Sequence, residues 1–373
     1  MTRISNLPDM IYNDLHQDIS TGKYEVGDLL PSENDLAKKY KSTRFFARKA
    51  FDLLEKRGFV VNKRGAGRTI TRQSVNKVKR LAIMDSHTVE YYLNQPADLP
   101  GHVFQWQSGI YDACHKLGIT PIYLTCRVRN ISEGQAFLQQ VMDSNVDAII
   151  NHPGYYQRDV LPQMLAEIRR YNIPTMFFSE LSSHEDFDFF HVDNYRVGQM
   201  LTEYAIDCGH KKIGFICAKT ATQLKHERYQ AYINTMEDRN LKIDERYTVI
   251  LEDNPNIDQW THRGRNAIKI MSERGVLGAL SCIICYNDQM AEGAIDELRA
   301  RGYSVPGDIS IIAFDNDPRC FSCELTTGYF PYVEAVRKAT TKFVERINSN
   351  SDNFIKLCIK PRIIERKSVK HIN

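Results

Sequence analysis

No apolar stretch in this 373-residue chain approaches the roughly 18–20 residues that cross a bilayer as a helix. Its start, "MTRISNLPDM", lacks the apolar core and small-residue cleavage site of a secretory leader, so a cytoplasmic protein with no membrane partner is expected. The usual signatures of catalysis are missing too. There is no Gly-x-Ser-x-Gly elbow, no Gly-x-x-x-x-Gly-Lys phosphate loop and no His-Glu-x-x-His zinc helix. The short "RGAG" at 64–67 is too brief for a nucleotide fingerprint. Acidic residues are scarce in one place. Between 36 and 80 only Asp52 and Glu55 stand against 15 basic residues.

That scarcity is an asymmetry of the whole chain. The net charge of +3 conceals 17 Lys/Arg against 9 Asp/Glu over residues 1–80, with the acidic excess confined to the remainder. A localised basic block points to a polyanion partner at one end of the molecule, although a solvated face would also produce it. Cysteine is absent before Cys114, and the total of nine is odd. Two spacings, Cys282-Ile-Ile-Cys285 and Cys320-Phe-Ser-Cys323, imitate a paired zinc site. The first lies in "ALSCIICYND", which reads as a buried strand, where positions three apart point to opposite faces. Reduced, packed cysteines are expected, with no metal or cofactor.

The basic block sits in an informative order of elements. "LPDMIYNDLHQDISTG" carries Ile11, Leu15 and Ile19 at helical spacing and closes on Gly22. In "PSENDLAKKY", Ser32 and Asp35 form a capping-box pattern, and Leu36, Ala37 and Tyr40 would face inward. Thr43 can cap a third helix running to about Arg57, stopped by Gly58. "FVVNKRGAGRTI" then reads as two short strands around a glycine-containing turn. This is the order of a winged helix-turn-helix, whose third helix enters the major groove while the hairpin reaches along the backbone or into the minor groove. A helical cap on a larger domain is the alternative, but it would not need so basic a third helix.

Within "KSTRFFARKAF", Ala47, Ala50, Phe51 and Leu54 form the core stripe, and Arg44 and Arg48 stand one turn apart on its flank. A guanidinium there can bond a guanine bidentately. Phe45 and Phe46 fall outside the stripe; they either pack on thymine methyl groups or are covered by lysine stems. Residues 5–71 resemble the GntR family of bacterial regulators, through "GKYEVGDLLPSENDLAKKY", "TRFFARKAFDLLEKRGFV" and "RGAGRTI". The resemblance places the family's recognition arginines on Arg44 and Arg48 and its wing-tip glycines on Gly65 and Gly67. The expected DNA surface is Ser32, Thr43, Arg44, Phe45, Phe46, Arg48, Lys63, Arg64, Gly65 and Gly67. Three residues depart from the family: Asn34 where arginine is frequent, Thr43 for serine, and Phe46 for a threonine that commonly contacts DNA.

After a polar, basic linker at 72–80, "TRQSVNKVKR" from Thr71, short apolar strands alternate with helical stretches to the end of the chain. The pattern predicts a parallel α/β domain in two lobes over 81–373, with a ligand beyond the carboxyl ends of the strands. Those ends are polar: "CIICYND" finishes on Asn287 and Asp288, "IIAFDND" on Asp315. Carboxylates and amides bridge adjacent hydroxyls, a guanidinium donates to them, and an aromatic face covers a sugar ring. Arg228 and Trp260 are candidates for the last two roles. Asp288 as a helix cap and Trp260 as a half-buried aromatic are the bland alternatives.

From about Lys79 to Arg366 the sequence resembles the effector domain of LacI/GalR regulators, related to periplasmic sugar-binding proteins. "VDNYRVGQMLTEYAIDCGHKKIGFI", "ERYQAY", "YNDQMAEGAIDELRARGYSVPGDISIIAFDND" and "LTTGYFP" carry the likeness. It implies that Arg228, Asn287 and Asp315 grip an effector, with Trp260 near an aromatic position. The loop "MDSHTVEYYLNQPADLPGHVFQWQSG" is expanded, leaving Ser86, Phe104 and Trp106 without assigned roles. A GntR-type reader with a LacI-type sensor resembles the arabinose-repressor class. The combination implies a homodimeric repressor on a palindromic duplex operator, controlled by a monosaccharide, with a purine or another small polar effector still open. An enzyme acting on a sugar in the same cleft, through the "DND" of 315–317, is the rival reading.

Overall fold

The computed structural model describes residues 7–20, 22–56, 59–63, 67–71, 78–85, 101–125, 130–151, 160–170, 173–178, 187–218, 224–251, 260–349, 351 and 353–372. The chain divides into two compact units: residues 1–89, 111–190 and 337–356 form one, and 90–110, 191–336 and 357–373 the other.

In the first unit, the N-terminal module comprises α1 (Leu7–Ser20), α2 (Glu33–Lys39), α3 (Arg44–Lys56), β1 (Val60–Lys63) and β2 (Gly67–Ile70). Ile11, Leu15 and Ile19 of α1 meet Leu36 of α2 and Ala47, Ala50, Phe51 and Leu54 of α3 in one closed core. The stripe read from the sequence is thus the buried face. Burial of the isoleucine, leucine and phenylalanine side chains among them stabilises by roughly 1.5–3 kcal/mol each. Ala37 and Tyr40 are only half-buried. Ser32 and Asp35 make the expected reciprocal capping box. The strands β1 and β2 pair antiparallel, Lys63 opposite Gly67, and Gly67 takes φ +93°, which a side chain would oppose. Arg57, Gly58, Arg64 and Gly65 lie outside the described residues, as do 72–77 of the expected linker. The strand β3 (Arg80–Asp85) starts within that linker's last residue, and Val78 before it is already buried.

A sheet of order β13-β7-β6-β5-β3-β4 lies mostly in the first unit, where β4 is Thr120–Thr125, β5 Ala148–Asn151, β6 Thr175–Phe177, β7 Asp188–Val192 and β13 Lys356–Ile359, the last two running into segments of the second. The pairs from β4 through β7 are parallel. The helices α4 (Gly101–Leu117), α5 (Ile131–Asp143) and α6 (Leu161–Arg170) connect its strands, as the alternating pattern predicts.

The second unit holds a sheet of order β14-β12-β11-β10-β8-β9: β8 Ile213–Ala218, β9 Thr248–Leu251, β10 Cys282–Cys285, β11 Ser310–Phe314, β12 Thr326–Tyr329 and β14 Arg362–Ile364. Only the β12/β14 pair is antiparallel among the pairings in this sheet. Its helices are α7 (Asn194–Asp207), α8 (Leu224–Asp238), α9 (Trp260–Glu273) and α10 (Asp288–Ala300), and α11 (Tyr332–Asn348) divides between the units. The α9–α10 pair packs backbone to backbone. A Cβ on Gly264 would collide with the Met290 carbonyl oxygen, and one on Gly293 with that of Thr261. This close approach sets Trp260 and Asn287, at the starts of the two helices, in fixed relation. Cys282 and Cys285 are fully buried in β10, and burial raises both thiols above their ordinary range. Cys320 and Cys323 instead lie on a 3₁₀ turn, Pro318–Cys323.

Candidate nucleic-acid interface and effector site

The basic face of α3 is organised around one carboxylate. Glu33, the first residue of α2, accepts from Arg48 Nε at 3.2 Å and Arg48 Nη2 at 3.1 Å. Arg44 Nη2 lies 3.5 Å from the same side chain, and Arg68 Nη2, from β2, lies 3.1 Å from it. The guanidinium of Arg48, then burial opposing it and Arg68, leave the Glu33 carboxyl below the usual range. Arg44 and Arg48 remain 62% and 57% exposed and so face solvent with most of their donors. Phe45 and Phe46 separate. Phe46 is half-buried against the module's core, while Phe45 is 58% exposed, with its ring edge-on to Phe46 and Lys49 Nζ 4.8 Å above it.

Ser32 and Thr43 are exposed. The Ser32 hydroxyl both accepts from Asp35 N and donates to Asp35 Oδ2, so its place in the structure is the cap of α2. Gly67 begins the returning wing strand, and Lys63 ends the outgoing one.

In the second unit Arg228 is the hub. It is fully buried on α8, its Nε donating to Asn194 Oδ1 at 2.9 Å, Nη1 to the Tyr286 carbonyl at 2.7 Å and Nη2 to Asp315 Oδ1 at 3.2 Å. Its flat face lies 4.4 Å from the Phe314 ring centroid and 4.8 Å from that of Tyr286. Burial is the largest influence and lowers its affinity for the proton, but Asp315, Tyr286 and Tyr332 together raise it above the ordinary arginine range. Burial likewise pushes the Tyr286 phenol up to about 12 and keeps the Tyr332 phenol protonated. Asp315 occupies the carboxyl end of β11 at φ +104°, followed by Asn316 at φ +53°. This is backbone that side chains rarely adopt, and strain of that kind collects at ligand sites.

The loop is held from below. Asp288 Oδ2 accepts from Asp317 N and Oδ1 from Thr327 Oγ1, each at 2.7 Å. Arg366 Nη2 donates to Asn316 Oδ1 at 2.6 Å. Asp288 is therefore neither the helix cap nor open to a ligand: the cap of α10 is Asn287, which accepts from Met290 N. Asp288 is 2% exposed, and burial followed by the Asp315 charge pushes its carboxyl well above the ordinary range. Trp260 joins the cluster through Tyr286, ring centroids 5.8 Å apart.

The structure thus joins Arg228 to Asp315 and, through Tyr286, to Trp260, while Asn287 is 7% exposed with its Oδ1 spent on Met290 N and Asp288 is bonded to Asp317 and Thr327. Asn194, Tyr286 and Tyr332 were missed by sequence reasoning. Asn194 lay within the quoted "VDNYRVGQ" and Tyr286 beside Asn287, so both were in view without being chosen. Trp106 meets Tyr332 edge-on at 5.9 Å. The described part of Phe104 is its place in α4, and Ser86 lies outside the described residues. Among the described residues, no three His, Cys, Asp or Glu side chains are grouped to hold a metal ion. No described helix is long and apolar enough to cross a membrane.

A basic helix-turn-helix with a wing, followed by α/β sheets with a polar cluster at their strand ends, defines a two-module regulator. Residues 7–70 match the bacterial regulatory proteins of the gntR family, and residues 202–369 match the periplasmic binding protein-like domain. The HTH-type transcriptional repressor PurR of Pasteurella multocida is 29% identical over 268 residues, spanning 70% of this chain and 75% of that protein. PurR of Photorhabdus laumondii is 27% identical over 263 residues, spanning 70% and 74%. Two solved structures share the fold. The transcriptional regulator CelR–cellobiose complex has a TM-score of 0.65 at 17% identity, over 91% of this chain and 100% of that one. A LacI family regulator from Enterococcus faecium with bound ribose has a TM-score of 0.63 at 17% identity, over 79% and 100%.

The chain is a DNA-binding transcriptional regulator with a ligand-binding domain, similar to the PurR repressors. Its reader is of the GntR type, so it combines a GntR-type helix-turn-helix with a periplasmic-binding-protein-like sensor.

Proposed function

We propose that this protein is a homodimeric, cytoplasmic repressor of a sugar-utilisation operon, with a palindromic operator and a monosaccharide effector bound at the Arg228–Asp315 cluster. Arg44 and Arg48 read base edges, Thr43, Phe45 and the wing residues Lys63, Arg64, Gly65 and Gly67 complete the DNA surface, and Asp315, Asn287, Arg228 and Trp260 hold the effector. One observation carries the sugar reading. The Asp315 carboxylate is 18% exposed, beside an arginine that is 6% exposed, with the Trp260 and Tyr286 rings adjoining. A carboxylate of this kind accepts paired hydroxyls while an aromatic face covers the ring. The cellobiose and ribose named with the two structural relatives support the same class of ligand. The effector must distinguish two states of the protein, a coupling typically of about 1–3 kcal/mol.

A thermal-shift screen of monosaccharides, their phosphates and nucleobases tests this, followed by duplex binding with each hit. Stabilisation by a monosaccharide that also changes operator affinity is the expected result. Stabilisation by nucleobases alone would replace the sugar with a purine-like effector. Turnover of a bound sugar would make the cleft an enzyme's.

A further inference from the structure

Glu33 is shared by three arginines, Arg44, Arg48 and Arg68, and its surroundings follow from chain path. The segment before α2 is stitched to the wing: Leu30 N donates to Arg68 O, Ile70 N to Asp28 O and Gly27 N to Ile70 O. Arg68 is thereby held against α2. Its guanidinium lies 4.3 Å from the Phe51 ring centroid, and its side chain is only 14% exposed, so it faces Glu33 and the core. On the other side, Arg48 presents its Nε and Nη2 as a fork to the two Glu33 oxygens. The Glu33 side chain is 11% exposed and the capping box fixes the backbone beside it. A single carboxylate therefore ties wing strand, α2 and recognition helix together.

We infer that Glu33 is a specificity-determining positioning residue: it aims Arg44 and Arg48 at base edges and restrains them from indiscriminate phosphate contact. The inference rests on the DNA-binding reading of α3. Two long arginine side chains on a basic surface would otherwise bond any phosphate, and that term carries no sequence information. A carboxylate fork lowers their freedom before DNA arrives and repels phosphate that is not correctly placed. Loss of the carboxylate should strengthen binding to arbitrary duplex and weaken discrimination.

The test uses full-length protein and the duplex it enriches from a random-sequence pool, with a scrambled duplex for comparison. Glu33→Gln is expected to tighten scrambled-duplex binding, to reduce the enriched-to-scrambled ratio by about tenfold, and to steepen the salt dependence by about 0.9 in log–log slope. Glu33→Asp keeps the charge but is too short to bridge Arg48 and Arg68. It should lose discrimination at the wild-type slope, and it carries the test if the glutamine variant does not fold. Equal weakening on both duplexes by either variant would make Glu33 merely structural. A loss confined to one base pair, with scrambled-duplex affinity unchanged, would mean that Glu33 reads a base itself. If wild type enriched no duplex, the DNA-binding reading would fall and this inference with it.

Discussion

Asp315 Oδ1 lies 3.2 Å from Arg228 Nη2, yet the carboxylate is three times as exposed as the guanidinium it pairs with, 18% against 6%. The arginine is anchored elsewhere as well, by Asn194 and the Tyr286 carbonyl. The pair therefore presents one fixed cation below and one accessible anion above. Removing the anion should leave the cation in place.

Asp315→Asn should accordingly abolish the effector's thermal shift and leave duplex binding unrelieved by effector. Arg228 loses a charge-assisted bond but keeps two others, so the cost to folding should be about 1.5–3 kcal/mol. A calorimetric titration with the best monosaccharide and a denaturant melt check both parts. Unaltered effector affinity would move the site away from Asp315.

Arg44→Ala should separate the modules in the opposite sense. Duplex affinity is expected to fall by about 1–3 kcal/mol, mostly at one base pair, and effector binding to persist. A uniform loss over all sequences, with the salt slope shallower by about 0.9, would instead mark a phosphate contact.

Phe45 and Phe46 should now behave differently, because only Phe45 is open to DNA. Replacing thymine by uracil in the enriched duplex removes a methyl group worth about 0.8 kcal/mol when buried, or roughly fourfold in affinity. Wild type should show that loss and Phe45→Ala should not. Phe46→Ala should lower Tm instead. Identical thymine-to-uracil losses in wild type and Phe45→Ala would rule out methyl reading by Phe45.

His210 supplies a pH dependence. Its ring is fully buried, and burial, with Lys370 and His371 nearby, lowers its pKa from the ordinary 6.5, a backbone contact at Lys370 opposing. The unfolded chain therefore takes up a proton that the folded chain refuses. The histidine imposes no penalty above about pH 6.5, and stability falls as the pH drops below that toward the folded value, by at most about 1.36 kcal/mol per pH unit. Tm measured across this window should decline more steeply for wild type than for His210→Gln. Parallel curves would exclude His210 as the cause.

Much of this was legible in the chain. The core stripe of α3 follows from Ala47, Ala50, Phe51 and Leu54 at helical spacing, and the α2 cap from Ser32 and Asp35. Arg228 and Asp315 were found as polar residues near buried elements. Asp288 was expected at the effector beside the adjacent and chemically similar Asn287, and it is 2% exposed and bonded to Asp317 N and Thr327 Oγ1. Which one caps the helix depends on where it begins; Asn287 does, and it too is buried, at 7% exposed. Asn194 and Tyr286 escaped because each serves Arg228 from a different segment, one with a side-chain oxygen and the other with a carbonyl. The collision-limited contacts of Gly264 and Gly293 were equally invisible.

The sequence by itself determined the module order, the basic recognition helix with its buried stripe, and the alternation that builds parallel sheets. These depend on periodicity and local charge, which neighbouring residues carry among themselves. Only the tertiary structure decided that Glu33 gathers Arg44, Arg48 and Arg68, that Asn194 and Asp315 share one guanidinium, and that Phe45 is open while Phe46 is not. Those pairings join residues up to 87 positions apart. Hydrogen bonds and ring contacts at that separation depend on how helices dock on sheets, which no local pattern specifies.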